Sequence, residues 1–222
     1  MITIKPTGGL CNYLRVVFSY YEYARSINSE LNVIWIKTAS CPGYFLDYFE
    51  PIPYVNFKNS SENDVKIDYH GYSVAKNFKP KYDKLKLKPY LKKIVFDKLD
   101  ILNRNYISVH IRRTDHINLA KKNNCYTDDG EFINFIDKSY KDIYIATDNK
   151  ITYYKFKKKY PNRIKFDYHK TTNNSLRETS LQDSIIDIYM CVYSDDFMGS
   201  GWSSFSDLIR KLRKLSIVST IL

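Results

Sequence analysis

From Pro89 to Leu215, short apolar runs alternate with segments of helical apolar spacing. That alternation restricts the chain more than any other feature. A basic segment "PYLKKIVFDKLDIL" with proline in its first turn predicts a helix. It is followed by a strand over Tyr106 to Ile111, a helix over Asp128 to Tyr140, a strand over Ile143 to Thr147 and a helix over Lys150 to Tyr160. "RIKF" reads as a short strand, Leu176 to Tyr193 as a long helix, Phe197 to Gly199 as a strand and Ser204 to Leu215 as a last helix. Strand and helix at this spacing predict an α/β fold with a mostly parallel, doubly wound sheet.

The N-terminal end repeats the pattern on a smaller scale. "ITIK" reads as a strand and "PTGG" as a loop. Leu10, Leu14, Val17, Phe18, Tyr21 and Ala24 share one helical face, and "LNVIWIK" is a second strand. Between Thr38 and Lys88 the chain is rich in proline, asparagine and serine and reads as irregular, apart from a strand near "VKIDYHGY". The sequence therefore divides into an N-terminal half over 1–100 and a C-terminal half over 101–222.

Composition then limits the function classes. With 222 residues and 44% hydrophobic content the chain can bury a sizeable core. Thirty-five Lys+Arg against 24 Asp+Glu give +11, which favours an anionic partner, although a chain rich in Lys, Asn, Ile and Tyr also reflects A/T-biased coding. Cys11, Cys41, Cys125 and Cys191 form no Cys-x-x-Cys pair, so free thiols in a reducing compartment are expected, rather than a zinc site or a disulfide framework. No apolar run approaches the ~20 residues of a membrane helix, and no basic leader opens the chain. The expectation is a cytoplasmic protein without membrane insertion.

In open α/β sheets, ligands gather at the carboxyl ends of strands. Those ends here are Gly8-Gly9-Leu10-Cys11-Asn12, Arg112-Arg113-Thr114-Asp115, Thr147-Asp148-Asn149 and Gly199-Ser200-Gly201-Trp202-Ser203-Ser204. Glycines ahead of a helix let backbone N–H groups approach an anion at the positive end of the dipole. Serines there donate to phosphate or cap the helix. Arginine supplies a planar fork that stays charged. Singly, the glycines read as readily as a tight turn, and the serines, the aspartate and the arginines more readily as a cap, a loop carboxylate and a surface pair. Together they describe a pyrophosphate cradle. The chain has no Asp-x-Asp pair for a metal, so the arginines are the groups available to neutralise a leaving diphosphate.

"VHIRRTD" resembles the His-x-Arg-Arg-x-Asp motif of the metal-independent fucosyltransferase superfamily, which includes α1,2-, α1,6- and protein O-fucosyltransferases. "YIATDN", the stretch from Asn174 to Leu208 and "GGLCNYLR" are similar to further family segments in the same order. The resemblance implies a GT-B-like fold of two Rossmann-like halves, the N-terminal one trimmed and on the acceptor side, the C-terminal one binding a GDP-sugar. It implies inverting transfer of fucose from GDP-fucose to a glycan hydroxyl, with no metal cofactor. On the matching positions, Arg112 holds the β-phosphate and Arg113 supports structure or phosphate. His110 and Asp187 contact guanine, with Asp183 as the alternative to Asp187. Asp148 orders the arginine loop, Ser203 and Ser204 contact phosphate, and Gly8, Gly9 and Asn12 complete the donor set.

The general base is open. "HINLAKKNN" holds no acid where an α1,6-type relative carries one, so Asp115 is either base or brace, and Asp128, Asp129 and Glu131 come next. His116 reads as a loop residue. Rivals are another nucleotide-sugar transferase such as a rhamnosyl- or mannosyltransferase, a nucleic-acid-binding module exploiting the charge, and an inactive sugar-binding relative. No nucleic-acid motif or aromatic stacking platform is evident in the sequence, so no nucleic-acid partner is expected.

Overall fold

The computed structural model describes residues 1–60, 66–114, 117–168 and 179–216. The chain divides into two compact units, Met1–Leu91 and Lys92–Leu222.

The first unit holds β1 (Ile2–Pro6), α1 (Leu10–Ser26), β2 (Leu31–Ile34), α2 (Phe45–Tyr48), β3 (Val55–Lys58) and β4 (Tyr69–Gly71). Its four strands run parallel in the order β3-β2-β1-β4. α1 begins where Gly8 turns the chain through φ +94°, a conformation glycine adopts without steric penalty. The face forecast by the periodicity, from Leu10 through Leu14, Val17 and Phe18 to Ala24, is the face α1 buries. Trp35 is fully buried, edge-on to Tyr13 at 4.7 Å, and its indole N–H donates to the Gly43 carbonyl. α2 and β3 lie in the stretch expected to be irregular. β3 gives little periodic signal because it is an edge strand with half-exposed side chains, fixed by register against Leu31–Ile34.

The second unit takes in most of α3 (Pro89–Ile101), whose first turn straddles the boundary. It continues with β5 (Tyr106–Ile111), α4 (Ile117–Lys122), α5 (Asp129–Asp137), β6 (Asp142–Thr147), α6 (Lys150–Lys159), α7 (Leu181–Val192), β7 (Asp196–Gly199) and α8 (Ser204–Ser216). The strands are parallel in the order β6-β5-β7.

Alternation along a strand sends successive side chains to opposite faces, and this sheet uses that to separate two chemistries. Ile107, Val109, Ile111, Ile143 and Ile145 pack with Phe132, Ile136, Tyr153 and Phe156 in an apolar layer. The other face carries hydroxyls and an imidazole, each bonded to α7, α8 or the segment joining α7 to β7. Tyr106 donates to the Met190 carbonyl, Ser108 meets Ser194 at 2.6 Å, His110 Nδ1 meets Ser206 Oγ at 2.8 Å and Tyr144 donates to Asp187 Oδ1 at 2.7 Å. Burial pushes the Tyr106 and Tyr144 phenols above their usual range, so both remain protonated donors.

Two expectations change. "RIKF" forms no strand. Its segment meets β6 through one backbone bond, Ile143 N–H to the Arg163 carbonyl. The Ile164 and Phe166 carbonyls are taken by Lys157 and Tyr153 side chains, so no ladder forms. α7 starts at Leu181, where Ser180 Oγ accepts from the Asp183 N–H as a cap; positions 176–178 of the expected helix lie outside the described residues. Among the described residues, no helix is long and apolar enough to cross a membrane.

Arg213 fastens the end of α7. Nη1 donates to the carbonyls of Cys191, Val192 and Ser194, and Nη2 to that of Asp195. These include carbonyls a helix end leaves unpaired. Arg213→Ala is expected to cost about 2 kcal/mol and lower the Tm by roughly 4–8 °C. Arg213→Lys should recover little of the loss, because one ammonium cannot reproduce the planar fork. Thermal melts of both variants check this.

Candidate active site

Because β5, β6 and β7 are parallel, their carboxyl ends fall on one edge of the second unit. The register pairs Ile111 with Thr147 and His110 with Gly199, so the three exits begin side by side. Arg112–Thr114, Asp148–Asn149 and Ser200–Ser204 are thereby gathered from positions far apart in sequence.

The exit of β5 is held from both flanks. On the β7 side, the Arg112 backbone N–H donates to Ser200 Oγ at 2.9 Å. On the β6 side, Asp148 accepts from the Arg113 N–H at 2.9 Å and from the Thr114 hydroxyl at 2.5 Å.

Both arginines are partly buried. The Arg113 side chain is only 9% exposed and turns inward. Its Nη2 donates to Asp129 Oδ1 at 2.6 Å and its Nη1 to the Arg112 carbonyl, while the guanidinium lies near the Tyr126 and Phe132 rings. Arg112 is half-buried at the strand exit.

Asp129 also takes Lys155 Nζ at 2.6 Å. Burial alone would raise its carboxyl, but the hydrogen bonds from Lys155 and Arg113 outweigh that and hold it below the usual carboxylate value. A carboxylate so held is a poor proton acceptor. Asp128 and Glu131 form the capping box of α5, each bonded to the other's backbone N–H. Asp115 and His116 lie outside the described residues.

Ser203 is 2% exposed and caps α8, its carbonyl accepting from Asp207 N–H; Ser204 is the first residue of α8 and half-buried. His110 is buried beneath α8, its ring stacked on Phe205 at 4.4 Å. Gly201 approaches the Cys125 carbonyl so closely that a Cβ there would collide with its oxygen, and its N–H donates to Thr127 Oγ1.

Asp187 and Asp183, one turn apart on α7, line one cavity with Tyr144, Tyr153, Phe166, Tyr168 and Lys98. Gly8, Gly9 and Asn12 belong to the first unit. There Gly9 precedes α1 in an extended conformation, and a Cβ on Gly8 would lie 2.7 Å from Asn12 Nδ2. Among the described residues, no group of three or more His, Cys, Asp or Glu is arranged to hold a metal ion.

The family model of GDP-fucose protein O-fucosyltransferases matches residues 17–216. The chain belongs to that family. Membership carries the reaction class with it: fucose transfer from GDP-fucose. Solved structures agree in fold. NodZ α-1,6-fucosyltransferase soaked with GDP-fucose is 14% identical with a TM-score of 0.65, over 95% of this chain and 92% of that one. Fucosyltransferase NodZ from Bradyrhizobium matches with the same identity and TM-score, over 94% and 91% of the two chains. POFUT1 in complex with GDP is 10% identical with a TM-score of 0.66, over 96% of this chain and 95% of that chain. The fold is thus the α/β, parallel-sheet architecture of GT-B fucosyltransferases. No curated protein matches the chain.

Sequence reasoning placed Thr114 in a strand exit without giving it a role, and did not single out Thr127, Lys155 or Ser206 as parts of the site's framework. Ser206 belongs to the Ser-Ser-Phe-Ser run, and its spacing from Ser203 on a helix was the available signal. Thr127 gave none, since its role depends on a backbone N–H 74 residues away.

Asp129 binds fewer protons folded than unfolded. Its stabilising contribution is therefore complete above the unfolded carboxyl pKa of about 3.9 and fades as pH falls through the lower folded value. Asp129→Asn should cost about 2 kcal/mol at pH 7, leaving Arg113 buried without its anion. The deficit relative to wild type should shrink below pH 4. Urea denaturation across that range measures both effects.

Proposed function

We propose that the chain is an inverting, metal-independent fucosyltransferase that moves fucose from GDP-fucose to a hydroxyl of a glycan acceptor. Family membership supports the reaction class, and the braced arginine exit of β5 supports the chemistry. In this reading residues 101–222 hold the donor and residues 1–100 face the acceptor; Gly8, Gly9 and Asn12 enter the donor set through the resemblance of their glycine motif. The four free cysteines fit a reducing, cytoplasmic setting.

The acceptor oxygen attacks the anomeric carbon as the bond from that carbon to the β-phosphate oxygen breaks. The electron pair leaves with GDP, and the acceptor proton passes to a base, a role that falls to Asp115. Negative charge grows on the β-phosphate as the sugar becomes oxocarbenium-like. Arg112 meets that charge, so it lowers the barrier beyond its contribution to binding. Arg113, tied to Asp129, fixes the loop that carries Arg112. Ser203 and Ser204 bring the N-terminal end of α8 to the phosphates.

For guanine, the cavity beside α7 combines aromatic faces with the Asp183 and Asp187 carboxylates, which suit the purine's N1–H and exocyclic amine. His110 does not line that cavity; it stacks on Phe205 and meets Ser206 beneath α8, so its part in holding guanine rests on the motif alone. The metal-free reading is supported by the guanidinium at the strand exit and by a sequence without Asp-x-Asp.

Arg112→Ala is expected to lower the transfer rate at least roughly a hundredfold while leaving the melting temperature near wild type. Near-normal turnover by the variant would reject the assignment. In thermal-shift titrations without magnesium, GDP should stabilise the protein in proportion to ln(1 + [L]/Kd), and UDP and dTDP should not. An equal response to all three, or a requirement for magnesium, would count against the reading.

A further inference from the structure

Trp202 plays no part in the transfer chemistry assigned to Arg112 and its neighbours. The chain has two tryptophans. Trp35 is fully buried in the first unit, whereas Trp202 is 51% exposed. Its backbone lies at φ +50°, in the left-handed region that bulky side chains avoid. Most other non-glycine residues at positive φ are asparagines, Asn28, Asn77, Asn103 and Asn124, which tolerate it.

The conformation is imposed from both sides. Gly201 is pinned by its bond to Thr127 and by the Cys125 carbonyl; Ser203 is buried as the cap of α8. The indole is therefore held out from a fixed turn. Among the described residues it has no hydrogen bond, ring contact or cation contact. Tyr54 and Arg104 share the positive φ, but Trp202 alone among them stands at a strand exit of the candidate site, where an unfavourable backbone state is a reason to look for a function.

Resting on the GDP-fucose reading, we propose that the Trp202 indole is the platform on which the transferred 6-deoxyhexose lies, and that it favours the C6 methyl over a hydroxymethyl. The diphosphate falls to Arg112 and the start of α8, and the base to the cavity beside Asp183 and Asp187. The hexose remains, attached to the phosphate that Ser203 and Ser204 approach one residue away. A rigid indole offers a large apolar face at small entropic loss. The sugar's C–H bonds and methyl group suit that face, whereas a hydroxymethyl would bring a hydroxyl that has to stay hydrated.

The test titrates wild type, Trp202→Phe and Trp202→Asn with GDP, GDP-fucose and GDP-L-galactose, which differs from GDP-fucose only at C6. Asparagine suits positive φ, so the turn persists in that variant. GDP affinity should be the same in all three proteins. Trp202→Asn should weaken GDP-fucose roughly tenfold and erase its preference over GDP-L-galactose, with Trp202→Phe retaining most of both. Because Trp35 is buried in the other unit, GDP-fucose should shift the wild-type fluorescence to shorter wavelength. GDP alone should not, and the Phe variant should show no shift.

The proposal is overturned if the Asn variant keeps wild-type affinity and preference, or if GDP and GDP-fucose weaken together. Wild-type protein that binds no guanine nucleotide would overturn the parent reading and the platform with it. The wild-type titration alone separates that result from the others.

Discussion

The Asp148 carboxylate joins the exits of two neighbouring strands. One oxygen takes the Arg113 N–H and the other the Thr114 hydroxyl, so the chain leaving β5 cannot move independently of the chain leaving β6. Ser200 does the same from the β7 side through the Arg112 N–H. Preorganised charge stabilises a transition state without reorganising as the reaction proceeds. In this sheet the fixed course of the Arg112–Thr114 backbone is a property of three parallel strands in register, expressed at their ends.

The same geometry divides the labour of two adjacent arginines. Arg113 is desolvated and would be costly without an anion; Asp129 supplies one, and Lys155 keeps that anion ionised. A one-residue slip in β5 would exchange its two faces, turning His110 and Ser108 into the isoleucine layer and stripping them of Ser206 and Ser194. The hydroxyl face therefore fixes register together with the aliphatic one.

Much of this could be read in the sequence. "YISVHI" alternates aliphatic with polar or aromatic side chains, so both its strand and its two unlike faces follow from the order of residues. The strand exits were legible because glycine, serine, aspartate and arginine cluster there. Arg112 and Arg113 were told apart only through the family resemblance; the residues themselves gave no sign, since the Asp129 partner of Arg113 opens a helix sixteen residues on. β3 was missed because an edge strand with half-exposed side chains needs little hydrophobic pattern. "RIKF" misled because β-propensity says nothing about Tyr153 and Lys157 reaching across from α6 for its carbonyls.

That last arrangement bears on how the molecule behaves in a crowd. β6 is the outer strand of its sheet, and a bare outer strand invites another copy to pair with it. The segment from Ile164 to Phe166 runs along that border with its acceptors already occupied by a phenol and an ammonium group. Another copy approaching along that border would therefore meet two carbonyls that already have side-chain partners.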